Sequence, residues 1–132
     1  MSHHYIIDTH ALVWYLDDDP RLGKVARRII EGEGKLLIFP TIVLAEIYYL
    51  HCRRPRLPSL EEVFHVLDRD PRVLIYPLEI GVVHSLPAGL NIHDAIITAT
   101  ALVIQKALGE EVSVITRDEE IIGSKIVSTV WE

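Results

Sequence analysis

The sequence predicts an α/β protein, with a central, mostly parallel sheet of about five strands and helices on both faces. Three observations predict it. Short apolar runs alternate with stretches of helical spacing along the whole chain. The runs, among them Tyr5-Ile6-Ile7, Leu36-Leu37-Ile38-Phe39 and Val112-Ser113-Val114-Ile115, are apolar at nearly every position and not at alternate ones. Successive strand residues face opposite sides of a sheet, so such runs call for burial on both faces. Finally, parallel neighbours need a long crossover, usually a helix, and the segments between runs are long enough to supply one.

The elements follow in order. Tyr5 to Asp8 reads as a buried strand and Thr9 to Leu16 as a helix that leaves through Asp17-Asp18-Asp19-Pro20. Asp19 suits an N-cap and Pro20 a first helical position, which predicts a second helix ending near Gly32 or Gly34. Leu36 to Phe39 is a strand, and Thr41 is expected to cap a helix running to about Cys52. Two prolines between Arg53 and Pro58 break that helix. Ser59-Leu60-Glu61-Glu62 has capping-box spacing and opens a helix to about Arg69. Val73 to Tyr76 is a strand, and a short helix covers about Glu79 to Leu86. Asp94 to Leu108 is the longest helix, stopped by Gly109. Val112 to Thr116 is a strand, Asp118 to Ile122 a helical turn or two, and Ile126 to Val130 the last strand.

The chain has 132 residues, 49% of them hydrophobic and 24% charged. That composition fits one domain, residues 1–132, with a real core, and excludes a disordered chain. No apolar run is long enough to span a bilayer. The first strand begins almost at once, which leaves no room for a signal peptide, and a cytoplasmic location is expected. The single cysteine, Cys52, can form neither an internal disulfide nor a thiolate metal site.

Four acids fall where strands hand over to helices. Asp8 ends the first strand. Glu46 lies in the helix after the second, among Val43, Leu44, Ala45, Ile47, Tyr48 and Tyr49. Asp94 opens the longest helix, and Asp118 follows the fourth run by two residues. Each alone also fits a helix cap or a solvent-facing acid. Glu46 fits least well, because no Lys or Arg stands three or four residues away to neutralise it. Ligands collect at the carboxyl ends of strands in open parallel sheets. Four carboxylates gathered there repel one another unless cations join them, and oxygen donors suit Mg²⁺ or Mn²⁺. Thr116 puts a hydroxyl at the fourth strand's end, where it suits a metal-bound water. His93 adjoins Asp94, where it either packs at the helix entry or reaches a phosphate. His3 and His4 are expected to form a solvated tail.

Net charge is −6, which on its face disfavours nucleic acid. Two divalent ions among the acids would bring it to −2. The arginines are also grouped, as Arg27-Arg28, as Arg53-Arg54 with Arg56, and as Arg69 with Arg72. Such pairs suit phosphate contacts or a solvated rim.

The chain resembles a PIN domain, and within that family the VapC-type toxins of toxin–antitoxin pairs. The segment from Ile7-Asp8-Thr9-His10 to Ala11-Leu12-Val13-Trp14 is similar to the family's opening "DTHALLW". Pro40-Thr41-Ile42-Val43-Leu44-Ala45-Glu46-Ile47 and Ile92-His93-Asp94-Ala95-Ile96-Ile97-Thr98-Ala99-Thr100-Ala101 continue the pattern. Val114-Ile115-Thr116-Arg117-Asp118 and Thr129-Val130-Trp131 close it.

The resemblance implies a PIN-like three-layer sandwich and an endoribonuclease that uses one or two Mg²⁺ or Mn²⁺ ions. It also implies a homodimer and a small cognate antitoxin. It assigns the acidic quartet to Asp8, Glu46, Asp94 and Asp118, and the strand-end hydroxyl to Thr116. Many relatives carry a further acid shortly after the third, whereas Ala95 to Ala99 here are uncharged, which bears on how tightly a second ion is held. The apolar surplus on Tyr48, Tyr49, Leu50, Leu60, Val63, Phe64 and Leu67 fits either a two-fold interface or the core.

The expected reaction is hydrolysis of an RNA phosphodiester by metal-activated water, leaving 5′-phosphate and 3′-hydroxyl ends. The alternatives are a nuclease or RNA-processing PIN domain outside a toxin–antitoxin pair, a small-molecule phosphohydrolase, and a non-catalytic RNA-binding module. Aspartyl-phosphate phosphatases carry D-x-D at the first strand, and Asp8 is followed by Thr9-His10. A module that has lost activity is expected to lose one of the four acids, and all four are present.

Overall fold

The computed structural model describes residues 3–132. Five strands form one wholly parallel sheet in the order β3-β2-β1-β4-β5. They are β1 (His4–Ile7), β2 (Leu36–Pro40), β3 (Val73–Tyr76), β4 (Val112–Ile115) and β5 (Ser128–Val130). The register pairs Tyr5 with Leu37 on one side and with Ser113 on the other. Tyr5, Ile6 and Ile7 are buried in succession, as are all four residues of β4. Burial at consecutive positions means cover on both faces, so the sheet is the middle layer of three.

Among the described residues, seven helices supply that cover. They are α1 (Thr9–Leu16), α2 (Lys24–Glu31), α3 (Thr41–Arg53), α4 (Leu60–Leu67), α5 (Ile80–His84), α6 (Ile92–Leu108) and α7 (Glu119–Ser124). The main core joins Ile6, Ile38 and Val114 of the sheet to Leu12, Val43, Ile47, Val63, Ile97 and Ile104 of the helices. Val82, Ile96 and Ala99 make a smaller cluster between α5 and α6. No helix among the described residues is long and apolar enough to cross a membrane.

Several starts differ from the sequence expectation, some for local and some for tertiary reasons. Asp19 and Pro20 do not open α2. The Asp19 carboxylate accepts from the Arg21 backbone N–H at 2.8 Å, a local turn that competes with helix. The helix begins at Lys24, after Gly23, which lies directly against the Trp131 backbone. Thr41 is not the cap of α3 but its first residue; its Oγ1 accepts from the Leu78 N–H at 3.1 Å. The longest helix starts two residues before Asp94, capped by Asn91. His4 belongs to β1 and not to a tail, and its Nε2 lies 2.9 Å from Glu110.

Other expectations hold in detail. The Ser59–Glu62 capping box is formed in both directions, and Gly109 ends α6 at φ 67° in the left-handed region that favours glycine. Of the surplus apolar residues, Val63 and Leu67 are buried and Leu50, Leu60 and Phe64 pack against the core, while Tyr48 and Tyr49 stay exposed. Two of the grouped arginines are committed internally. Arg72 binds Asp70 at 2.6 Å and donates to the carbonyls of Ile30 (2.7 Å) and Gly32 at the end of α2. Arg27 pairs with Asp18 at 3.0 Å.

Candidate functional site

Strand order reverses at β1, whose neighbours are β2 on one side and β4 on the other. That switch opens a crevice at the carboxyl ends of β1 and β4. A cleft of about 400 Å³ lies among residues that follow these strands. Asp8, Glu46, Asp94 and Asp118 line it, together with Asn91, His93, His10, Trp14, Arg117 and Trp131.

Asp8 is the N-cap of α1, and its Oδ1 accepts from the Thr9 N–H at 2.6 Å. Its Oδ2 accepts from the Thr116 hydroxyl at 2.5 Å. Thr116 Oγ1 in turn accepts from the Asp118 N–H at 3.0 Å, so one hydroxyl ties the two strand ends together. This is a positioning contact beside the water-holding role expected of Thr116. Burial pushes the Asp8 pKa up, and the hydrogen bonds from Thr116 and Thr9 oppose that push.

Asp118 caps α7, its Oδ1 accepting from the N–H groups of Glu120 (2.9 Å) and Ile121 (3.1 Å). Glu46 lies on α3, and its Oε1 accepts from the Thr9 hydroxyl at 2.8 Å. Its other oxygen, Oε2, lies 3.2 Å from His93 Nδ1. His93 therefore orients an acid, a partnership that residue spacing had not disclosed.

Asp94 is buried in the first turn of α6. Asn91 Oδ1 accepts from its N–H at 3.0 Å, the N-cap bond, and the Asn91 side-chain amide donates to its Oδ2 at 2.6 Å. Burial and then the nearby Asp118 charge raise the Asp94 pKa to about 6. Burial is the larger cause, and the neighbouring carboxylate adds to it.

One wall of the cleft is aromatic. Trp14 meets Trp131 edge-on at 5.8 Å and His10 at 5.5 Å, and the guanidinium groups of Arg21 and Arg117 lie 4.7 and 5.0 Å from its ring. The acids were foreseeable from sequence, whereas this wall was not. Its only sequence signals were two tryptophans far apart.

Among the described residues, no three acids, histidines or cysteines converge into a ready-made ion cage. Glu46 is turned onto Thr9 and His93, and Asp118 spends Oδ1 on its own helix. The donors still fit a hard divalent cation. All four are carboxylates, Asp94 Oδ1 and Asp118 Oδ2 accept no hydrogen bond among the described residues, and the raised Asp94 pKa marks a charge that a cation would relieve.

Comparison with known proteins bears on the family and the fold. The family model described as PIN domain matches residues 5–123. Among solved structures, a chain of the crystal structure of VapBC2 from Rickettsia felis bound to a DNA fragment from their promoter superposes with a TM-score of 0.67. The match covers 98% of this chain and 99% of that one at 13% identity, which makes it a likeness of fold. No curated protein matches the sequence.

Proposed function

The chain belongs to the PIN domain family, and from that membership we propose that it is a divalent-metal-dependent endoribonuclease, the toxin of a type II toxin–antitoxin pair. The observation that carries this proposal is the lining of a single cleft by Asp8, Glu46, Asp94 and Asp118. Acids so gathered, with one of them raised to about 6, fit a cation-assisted attack on a phosphodiester better than any structural duty.

Asp8, Glu46, Asp94 and Asp118 would hold the metal. When bound, one or two Mg²⁺ or Mn²⁺ ions supply an activated water and offset the charge that develops on the phosphate. The chain's own groups set the stage for this. Thr116 and the Thr9 amide fix the Asp8 carboxylate, leaving its remaining lone pairs at the end of β1. Thr9 and His93 orient Glu46 across the cleft. Asp94 must shed its proton before it can serve as a ligand, so the apparent affinity for the metal falls as pH drops below about 6. Hydrolysis by water leaves 5′-phosphate and 3′-hydroxyl ends. A 2′,3′-cyclic phosphate would mean attack by the RNA's own 2′-hydroxyl and would sink the proposal.

A small antitoxin is the proposed protein partner, in analogy with the VapBC2 pair whose chain shares the fold. A homodimer is the proposed assembly, supported by Tyr48 and Tyr49 left exposed on α3.

The test incubates purified protein, free of any partner, with a mixed RNA pool in Mg²⁺ or Mn²⁺. Cleavage is expected, with its loss in EDTA and a fall of at least about a hundredfold in Asp94→Asn, the scale of removing a group that supports a metal. Normal cleavage by Asp94→Asn would remove the site assignment.

A further inference from the structure

Arg117 is the one lysine or arginine among the residues that line the acid cleft. It stands between Thr116 and Asp118, two residues that already belong to the site. Its guanidinium lies over the Trp14 ring at 5.0 Å, and no carboxylate lies within ion-pairing distance of it among the described residues. Trp14 itself is buried, fixed edge-on by Trp131.

The second guanidinium on the same ring makes the contrast. Arg21 also packs on Trp14, at 4.7 Å, but donates to both oxygens of Asp19 at 3.2 Å or less. Arg21 has spent its charge within the protein, whereas Arg117 has not. A guanidinium lying over a rigid indole keeps N–H donors available and loses little freedom when they meet an anion. In a cleft that gathers four carboxylates, a guanidinium paired with none of them is placed to meet an incoming anion.

We propose that Arg117, held on the Trp14 face, grips a backbone phosphate of the nucleic-acid strand beside the one being cut. It contacts the strand and positions it, leaving the bond-breaking to the acids. The proposal rests on the reading of the protein as a ribonuclease. It adds a substrate contact that the acidic quartet does not supply.

The probe is a 5′-fluorescein-labelled single-stranded RNA of mixed sequence, titrated by anisotropy at several salt concentrations, with Ca²⁺ in place of Mg²⁺ to slow hydrolysis. The same variants are assayed for cleavage in Mg²⁺. Arg117→Ala should bind about tenfold more weakly, the scale of one lost charge-assisted contact. Its log K against log salt slope should be shallower by about 0.7, one phosphate on a single strand. In cleavage, KM should rise while kcat stays within about threefold. Arg117→Lys keeps the charge without the planar fork, so it should keep the slope and recover part of the affinity. Arg21→Ala removes the same charge from the same ring and should change binding less than twofold.

Wild-type binding with an unchanged slope and KM in Arg117→Ala would overturn the Arg117 proposal and leave the ribonuclease reading standing. Equal losses in Arg21→Ala and Arg117→Ala would also overturn it, by making the effect one of overall charge. Wild-type protein that neither binds nor cuts RNA would overturn both.

Discussion

At Asp94, burial and the Asp118 charge push the pKa up to about 6 while the Asn91 amide pulls it back. The folded chain therefore keeps a proton there that the unfolded chain, with an ordinary value near 3.8, has already released. The contribution of Asp94 to the stability of the metal-free protein is therefore fullest below about pH 4 and is lost as pH rises through about 6. Asp94→Asn removes the charge and keeps an amide that can bond to Asn91. In EDTA near pH 7.5 its stability should match or exceed the wild type, by about 1–2 kcal/mol at most and with a correspondingly higher Tm, the gap being gone near pH 4. Melts at the two pH values check this, and a lower Tm at both would make Asp94 a plain structural cap. The acids were legible because carboxylates at strand exits stand out against apolar runs. Their partners were not, since Thr9 and Glu46 are 37 residues apart and Asp8 and Thr116 are 108 apart. No local spacing encodes those bonds. Asn91 was a nearer miss, its three-residue spacing to Asp94 being a capping pattern in plain sight.

The elements were more legible than their ends. Bounds of α1 and β3 match the sequence expectation, because turn residues and prolines flank compact apolar runs. The start of α2 does not, because it answers to the other end of the chain. A methyl group on Gly23 would lie 2.1 Å from the Trp131 carbonyl oxygen, and that oxygen also accepts from the Ala26 N–H at 3.0 Å. The obstacle is backbone, so it cannot rotate away. Gly23→Ala should cost about 2 kcal/mol or more in urea unfolding, the scale of an overpacked contact. Its tryptophan fluorescence should shift as Trp131 loses its seat against Trp14. An unchanged midpoint would show that the α2–β5 junction gives way freely. Arg72 teaches the same lesson, since an arginine that looked available for phosphate is used to tie off the last carbonyls of α2.

For the whole molecule, the parallel sheet and its two layers of helices were readable from one rule, that strands buried at every position need cover on both faces. Assembly was less readable, because the same apolar residues serve a core or an interface. Light scattering at micromolar concentration should return twice the 15.0 kDa chain mass, and Tyr49→Asp should return the single mass. A single mass for the wild type would end the homodimer proposal. The strand order has a consequence in time. β1 lies at the centre of the sheet, yet one of its two neighbours is synthesised 108 residues after it. As the chain leaves the ribosome, β1, β2 and β3 can pair while the outer edge of β1 stays bare, an apolar edge of the kind that seeks foreign strands. Contacts that far apart in sequence also form late in folding. Until Val112–Ile115 docks, Asp8 has no Thr116 and the crevice no second side.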